Sequence, residues 1–290
     1  MEALLSEACI QVSPKLAQNL SKAVADLPDY EYFSLCDDLE AQKKIYQSIY
    51  ALFPSEFDTL IAEIQLCLNR RPYIAWLKGL DIDDRALVMI LVSLALGQIT
   101  RPAGTNAKAQ IFNSTEQVVI KLTHTLDWLH TDSTNWLNPN DLTILCCLQP
   151  DQFGGGQSII LDVDSIHAEI KQHKTMNRIL TTSQFPWFVT IGDDVKTIYD
   201  FILNERNELR WYRKNIDVAV RLGEGKISKE EREVVVKFEN LVENSKQQLV
   251  FGLENNDILI MNNRKCLHGR TEVKYVSQTE RKVIRTRVRQ

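Results

Sequence analysis

The chain of 290 residues lacks a run able to cross a bilayer: its longest apolar stretch, Ala86 to Gly97, falls well short of the ~20 residues a membrane helix needs. Its first residues carry Glu2 and Glu7 in place of the basic segment and long apolar run of a secretory leader. Net charge is only −4, so neither a nucleic acid nor an anionic membrane surface is expected as partner. Six cysteines are present (Cys9, Cys36, Cys67, Cys146, Cys147 and Cys266), but none forms a C-x-x-C pair, and adjacent Cys146 and Cys147 sit in an apolar run. Buried thiols in a reducing compartment are the simplest reading, which places the protein in the cytoplasm. There is no internal repeat and no low-complexity segment. A hydrophobic fraction of 44% with 25% charged residues is ordinary for a chain that buries a full core.

Residues 1 to 100 read as helical. Phe57, Leu60, Ile61 and Ile64 recur at helical intervals. Asp81-Ile82-Asp83-Asp84 would cap a helix from about Arg85 to Leu96 that is apolar nearly all round, and therefore buried. The breaker cluster Arg101-Pro102-Ala103-Gly104-Thr105-Asn106 ends this region. Short β-type runs follow: Ala109–Asn113, Val118–Thr123, Leu142–Leu148, Ser158–Val163 and Trp187–Ile191. Strand character returns at Leu249–Leu253, Asp257–Met261 and Arg281–Val288. Many short strands with regular turns predict a β-sandwich or jelly roll. Between them, residues 193–248 read as an insert, with a capping box at Ser228 and Glu231 opening a charged helix. The expectation is an α+β chain of one domain over 1–290. It comprises a helical N-terminal region (1–100), a double-stranded β-helix (jelly-roll) core (101–192 and 249–290) and a helical, loop-rich lid (193–248).

Histidine is scarce, at five residues. His130-Thr131-Asp132 puts an imidazole and a carboxylate on one face of an extended strand, where one metal ion can take both. These are two of the three ligands of a 2-His-1-carboxylate facial triad. Far downstream, an apolar run enters a polar turn, Asn262-Asn263-Arg264-Lys265, and then His268-Gly269-Arg270. Only a fold that returns late strands beside early ones can unite His268 with Asp132, and a jelly roll does so. Arg281 and Arg285 follow on the last strand, where alternation with Arg287 and Arg289 makes one face basic and suits carboxylate recognition. Gly154-Gly155-Gly156-Gln157-Ser158 allows close backbone approach to a ligand, with the Ser158 hydroxyl available to the same carboxylate as Arg281.

These four motifs, in this order, resemble the Fe(II)/2-oxoglutarate dioxygenases of the taurine dioxygenase and clavaminate synthase-like branch. The likeness is carried by residues 125–165 and 249–288; the first 100 residues and the insert match nothing nameable. The resemblance implies that His130, Asp132 and His268 bind Fe(II), with O2 and 2-oxoglutarate taking the open positions. Arg281 would clamp the distal carboxylate of 2-oxoglutarate with Ser158 as hydroxyl partner, and Arg285 would assist or reach towards substrate. It implies a hydroxylase acting on an unactivated C–H of a small metabolite, an amino acid or natural-product intermediate, with release of succinate and CO2. The same oxidant could instead desaturate, cyclise or fragment, and the scaffold could also serve a non-catalytic ligand-binding protein. Asp132, where halogenases need a small residue, argues against halogenation. The oligomeric state is not implied.

Single residues keep a blander reading beside the functional one. His124 has its acid three positions on, not two, and reads as structural or pocket-lining. His167 and His173 read as surface histidines on a polar helix. Arg270 either braces the His268 turn or lines the pocket. Trp136, Trp187, Trp211 and Tyr212 read as core more readily than as substrate contacts. Thr131 and Asn262 are further pocket candidates.

Overall fold

The strand Ile258–Asn262 shows how the layers are made: Ile258 and Ile260 enter one apolar cluster, Leu259 and Met261 another. Strand side chains alternate between faces, so this strand is buried on both sides. The computed structural model describes residues 2–25, 38–80, 85–100, 111–113, 127–191, 194–223, 225–273 and 281–290. In chain order these form α1 (Glu2–Ala8), β1 (Cys9–Gln11), α2 (Pro14–Ala25), α3 (Leu39–Tyr50), α4 (Pro54–Leu68), β2 (Ile74–Lys78), α5 (Arg85–Leu96), β3 (Gln98–Ile99) and β4 (Ile111–Asn113). There follow β5 (Asp127–His130), β6 (Leu142–Gln149), β7 (Ser158–Asp162), α6 (Val163–Ile170), α7 (Lys174–Thr182), β8 (Gln184–Ile191) and β9 (Asp194–Phe201). The chain closes with α8 (Arg213–Arg221), α9 (Lys229–Glu243), β10 (Leu249–Phe251), β11 (Ile258–Asn262), β12 (Cys266–Arg270) and β13 (Lys282–Arg289).

One sheet runs β1-β2-β11-β6-β13-β3 with β4 also on β13; a second runs β10-β7-β12-β5. Their inner faces share a cluster that includes Ile74, Cys147, Ile160, Leu259 and Cys266. The outer face of the large sheet, with Ile144, Ile260, Ile284 and Val288, packs on α2, α3, α4 and α5. Helix α5 is buried as its all-round apolar sequence predicts, and its Ser93 hydroxyl meets that of Thr286 on β13 at 2.9 Å. The outer face of the small sheet, with Leu129, Leu161 and Leu267, packs on α6, α7, α9 and the hairpin β8–β9. Each fully buried aliphatic side chain contributes roughly 1.5–3 kcal/mol.

Three expectations change. The first 100 residues are not only helical: β1 and β2 pair in parallel and β2 joins β11 antiparallel. Ile74-Ala75-Trp76-Leu77 is too short and too evenly apolar for a helix, and is buried as a sheet strand. The run at Trp187 belongs to neither main sheet; β8 pairs with β9 along its whole length in a two-stranded sheet. That hairpin crosses the expected core–insert boundary at residue 193. The insert is thus β9, α8 and α9, the last opening on the anticipated capping box. The strand expected at Val118–Thr123, the breaker at Arg101–Asn106, the cap at Asp81–Asp84 and His124 all lie outside the described residues. No described helix is long and apolar enough to cross a membrane.

Arg210 ties the hairpin to the turn after β5. Its guanidinium donates to the carbonyls of Thr134 (2.9 Å) and Trp136 (2.7 Å) and pairs with Asp200 on β9 at 2.9 Å, while the side chain is 3% exposed. Arg210→Ala strands these acceptors, and the expected loss is about 3 kcal/mol in urea unfolding. Arg210→Lys should recover less than half, since an ammonium lacks the planar fork. A wild-type midpoint for the alanine variant would remove Arg210 from the frame.

Candidate metal centre

Strand β5 is the last strand of the small sheet and pairs antiparallel with β12, with His130 opposite His268. Leu129 and Leu267, one position earlier on each strand, point outward into the helical layer. Alternation therefore turns both imidazoles into the space between the sheets. Their ring centroids lie 4.6 Å apart. Asp132 follows two positions after His130, past the end of the strand. Its Oδ1 lies 3.9 Å from Nε2 of His130 and its Oδ2 3.8 Å from Nε2 of His268. These gaps are too long for hydrogen bonds but leave room for an ion between three donors. One ligand atom from each residue falls within 4.8 Å of the other two, and no other such cluster occurs among the described residues. Two neutral imidazoles with one carboxylate suit a borderline divalent metal such as iron.

The carboxylate is held from several sides. The Thr143 hydroxyl, on β6, donates to Oδ2 at 2.9 Å. Arg285 and Arg287, on β13, reach Oδ1 at 3.2 and 3.4 Å. The Asp132 backbone N–H donates to Oδ1 of Asn263 at 2.6 Å, and the Asn263 amide returns a bond to the Asp132 carbonyl at 3.2 Å. The same amide donates to the Asn140 carbonyl at 2.8 Å, and the Asn140 side chain donates to the Thr143 hydroxyl at 3.1 Å. Asn140, Thr143 and Asn263 are all fully buried. Burial alone would push the Asp132 carboxyl up; Arg285 and Arg287, then His268 and His130, outweigh it and hold it well below the usual carboxylate range. Burial, with His130 second, pushes His268 down to about 3, so its ring is neutral and able to ligate near neutral pH. Its Nδ1 is buried with no hydrogen-bond partner among the described residues.

Other expected residues are placed as follows. Ser158 opens β7 opposite Arg270 of β12, and two positions before inward-facing Ile160 it shares the inner face; it is buried. Arg281 lies just before β13, buried, and the glycine turn presses on it: a Cβ at Gly156 (φ +62°) would come within 2.5 Å of Arg281 Cδ. Glycine is thus required there on both counts. Arg285 faces Asp132, joined by Arg287, which was expected only as part of a basic face. Trp187 and Trp211 are core, at 0% and 2% exposure. Tyr212 is half-buried, its ring centroid 5.6 Å from that of His130. Thr131 is buried and clamps the Trp211 backbone, its hydroxyl accepting from Trp211 N–H at 3.0 Å. Asn262, a pocket candidate, instead builds the turn, donating to Leu68 O and accepting from Arg264 N–H. Asn263 is the one that faces Asp132. His173 is exposed, whereas His167 is half-buried and its imidazole is pushed down by burial, so it is not a simple surface group.

The family model described as "Taurine catabolism dioxygenase TauD, TfdA family" matches residues 48–287. No curated protein matches by sequence. Among solved structures, asparagine oxygenase in complex with Fe(II), 2S,3S-3-hydroxyasparagine and succinate aligns with TM-score 0.70 at 13% identity, covering 97% of this chain and 93% of that one. The non-heme iron oxygenase OrfP with Fe and alpha-ketoglutaric acid aligns at 0.65 and 12% identity, with the same coverage. OrfP with Fe, succinate and (3S)-hydroxy-L-Arg aligns at 0.69 and 14%, again over 97% and 93%. At such identities these are likenesses of fold.

Thr143→Val is nearly isosteric and removes the hydroxyl that donates to Asp132 and accepts from Asn140, whose amide keeps the Leu142 carbonyl as acceptor. It should weaken Co(II) binding to the apoprotein by about 10–100-fold, the usual effect of deleting a partner of a ligand. Calorimetric titration reads this directly, and an unchanged affinity would mean that Thr143 does not orient the carboxylate.

Proposed function

The chain belongs to the TauD, TfdA family of Fe(II)/2-oxoglutarate-dependent dioxygenases, and we propose that it hydroxylates an unactivated C–H of a small metabolite, an amino acid or a natural-product intermediate. His130, Asp132 and His268 would hold the iron; their convergence from two distant segments is the observation that carries the reading. Two fold neighbours carry hydroxylated amino acids, which supports the substrate class. The two facing sheets support a double-stranded β-helix core, with β9, α8 and α9 as its lid. When bound, iron with 2-oxoglutarate and O2 supplies the oxidising chemistry, and the overall balance is R–H, O2 and 2-oxoglutarate giving R–OH, succinate and CO2.

The remaining work belongs to the chain. Arg281 receives the distal carboxylate of 2-oxoglutarate, and Ser158, facing the same space, offers a hydroxyl. Arg285, close to Asp132, assists at the co-substrate or reaches the substrate. With Arg287, these groups give the interior an excess of positive charge over the single carboxylate of Asp132, which suits a dianionic co-substrate. His130 is the most exposed of the three ligands, with a side chain at 20% against 5% for Asp132 and 9% for His268. Substrate therefore approaches on the His130 side, where Tyr212 forms a wall.

The test is substrate-dependent succinate formation across free amino acids and related metabolites, with product mass increased by one oxygen. Anaerobic Fe(II) with 2-oxoglutarate should give a weak visible charge-transfer band. His130→Ala and Asp132→Ala should abolish both with secondary structure retained; wild-type turnover in either variant would discard the site. Arg281→Ala should raise the 2-oxoglutarate requirement by roughly 30-fold, the equivalent of about 2 kcal/mol of charge-assisted hydrogen bonding, with little change in saturated turnover. An unchanged requirement would move the clamp to Arg285.

A further inference from the structure

Among the described residues, no strand pairs with the outer edge of β5. Strand β5 is the terminal strand of its sheet, and its pairing through His130 to β12 sends the N–H groups of the flanking Leu129 and Thr131 the other way. Unpaired edge amides compete for water and for other strands, so their partners matter. The Thr131 N–H donates to the Trp211 carbonyl at 2.8 Å. The Leu129 N–H donates to Oε1 of Glu243 at 2.8 Å. Both acceptors come from the insert.

Glu243 is the last residue of α9, and that helix has no basic residue in its final turn. A carboxylate there opposes the helix dipole, so the helix does not benefit from it. The chain nevertheless holds it in place: the Gln248 side chain donates to the carbonyls of Val242 (2.7 Å) and Glu243 (3.0 Å), pinning the last turn, while Val242 and Phe238 are buried beneath. Glu243 is half-buried, and burial pushes its carboxyl up while the Leu129 amide opposes the shift.

Resting on the iron-site reading above, we propose that Glu243 is a positioning residue for the metal centre: by capping the Leu129 amide it fixes the outer edge of β5 and thereby the setting of the His130 imidazole. The carboxylate acts through backbone and not by touching the ion. It makes α9, the far end of the insert, part of what sets the strength of the metal site.

Co(II) titration of the full-length apoprotein, followed by calorimetry and the cobalt visible spectrum, tests this against urea unfolding of the same samples. Glu243→Ala should weaken Co(II) binding about tenfold and shift the cobalt bands; Glu243→Gln, which keeps an acceptor oxygen, should fall between it and wild type. Val235→Ala, at a buried position of α9 about two helical turns before Glu243, should lower the unfolding midpoint at least as much as Glu243→Ala and leave Co(II) affinity within about twofold of wild type. The proposal is overturned if both Glu243 variants bind Co(II) with wild-type affinity and spectrum, or if Val235→Ala weakens binding equally. If wild type itself fails to take up Co(II), the metal-site reading falls first and this inference with it.

Discussion

Everything at the centre depends on one strand register. β5 and β12 meet with His130 opposite His268. A one-residue slip of either strand would turn its imidazole into the helical layer and bring its neighbouring leucine, Leu129 or Leu267, into the space between the sheets. Those leucines prevent the slip, since each is buried on the outer face against α9 and its neighbours. Apolar packing outside thus specifies polar geometry inside. The same alternation operates across the gap. On β13, Ile284, Thr286 and Val288 face the helices, which leaves Arg285 and Arg287 to face Asp132.

A second constraint is charge. Asp132 is buried, and a lone buried carboxylate would protonate before it accepted a cation. Two guanidiniums and a hydroxyl keep it ionised. Such pairs contribute little net stability, because desolvation offsets most of the attraction. Their value is orientation and readiness. His268 is shaped in the opposite sense: burial keeps it neutral. One ligand is held charged and the other uncharged, and both states are those that bind metal. Asn263 completes the arrangement by gripping the Asp132 backbone on both sides, so the carboxylate is placed by main chain as well as by side chain.

The candidate ligand set was legible because its chemistry is local. His130 and Asp132 announce themselves by spacing, and His268 by the apolar run and polar turn that precede it. The long buried strands were legible too, since β6 and β11 are apolar for most of their length and β13 alternates buried Ile284, Thr286 and Val288 with arginines. The strand that ends at His130 was expected only from its ligand spacing, and the one that carries His268 was not expected at all. Asp127-Trp128-Leu129-His130 and Cys266-Leu267-His268-Gly269-Arg270 are short and polar, and they become strands only by pairing with each other and with β7. Asn263 was missed in favour of Asn262 because neighbouring asparagines in a turn look alike until the turn is built. Thr143 did leave a trace: a hydroxyl inside an apolar strand needs a partner. Arg287 was visible as one member of a basic face, but nothing in alternation says which arginines a single aspartate will gather. The β8–β9 sheet was hidden because β9 is largely exposed and reads as loop.

The insert lies against the metal strand as a bonded continuation of the sheet edge, through Trp211 and Glu243, and Arg210 holds the turn that follows. Lifting it as a rigid lid would strand the amides of Leu129 and Thr131 and the carbonyls of Thr134 and Trp136. At a net of roughly 0.5–1.5 kcal/mol for each hydrogen bond exchanged for water, and with the apolar contacts of α9 lost as well, such a motion would take up a large part of the stability of a domain. An insert anchored in this way keeps Tyr212 fixed relative to His130, so the most exposed side of the candidate centre has a wall referenced to the strand that carries its first histidine.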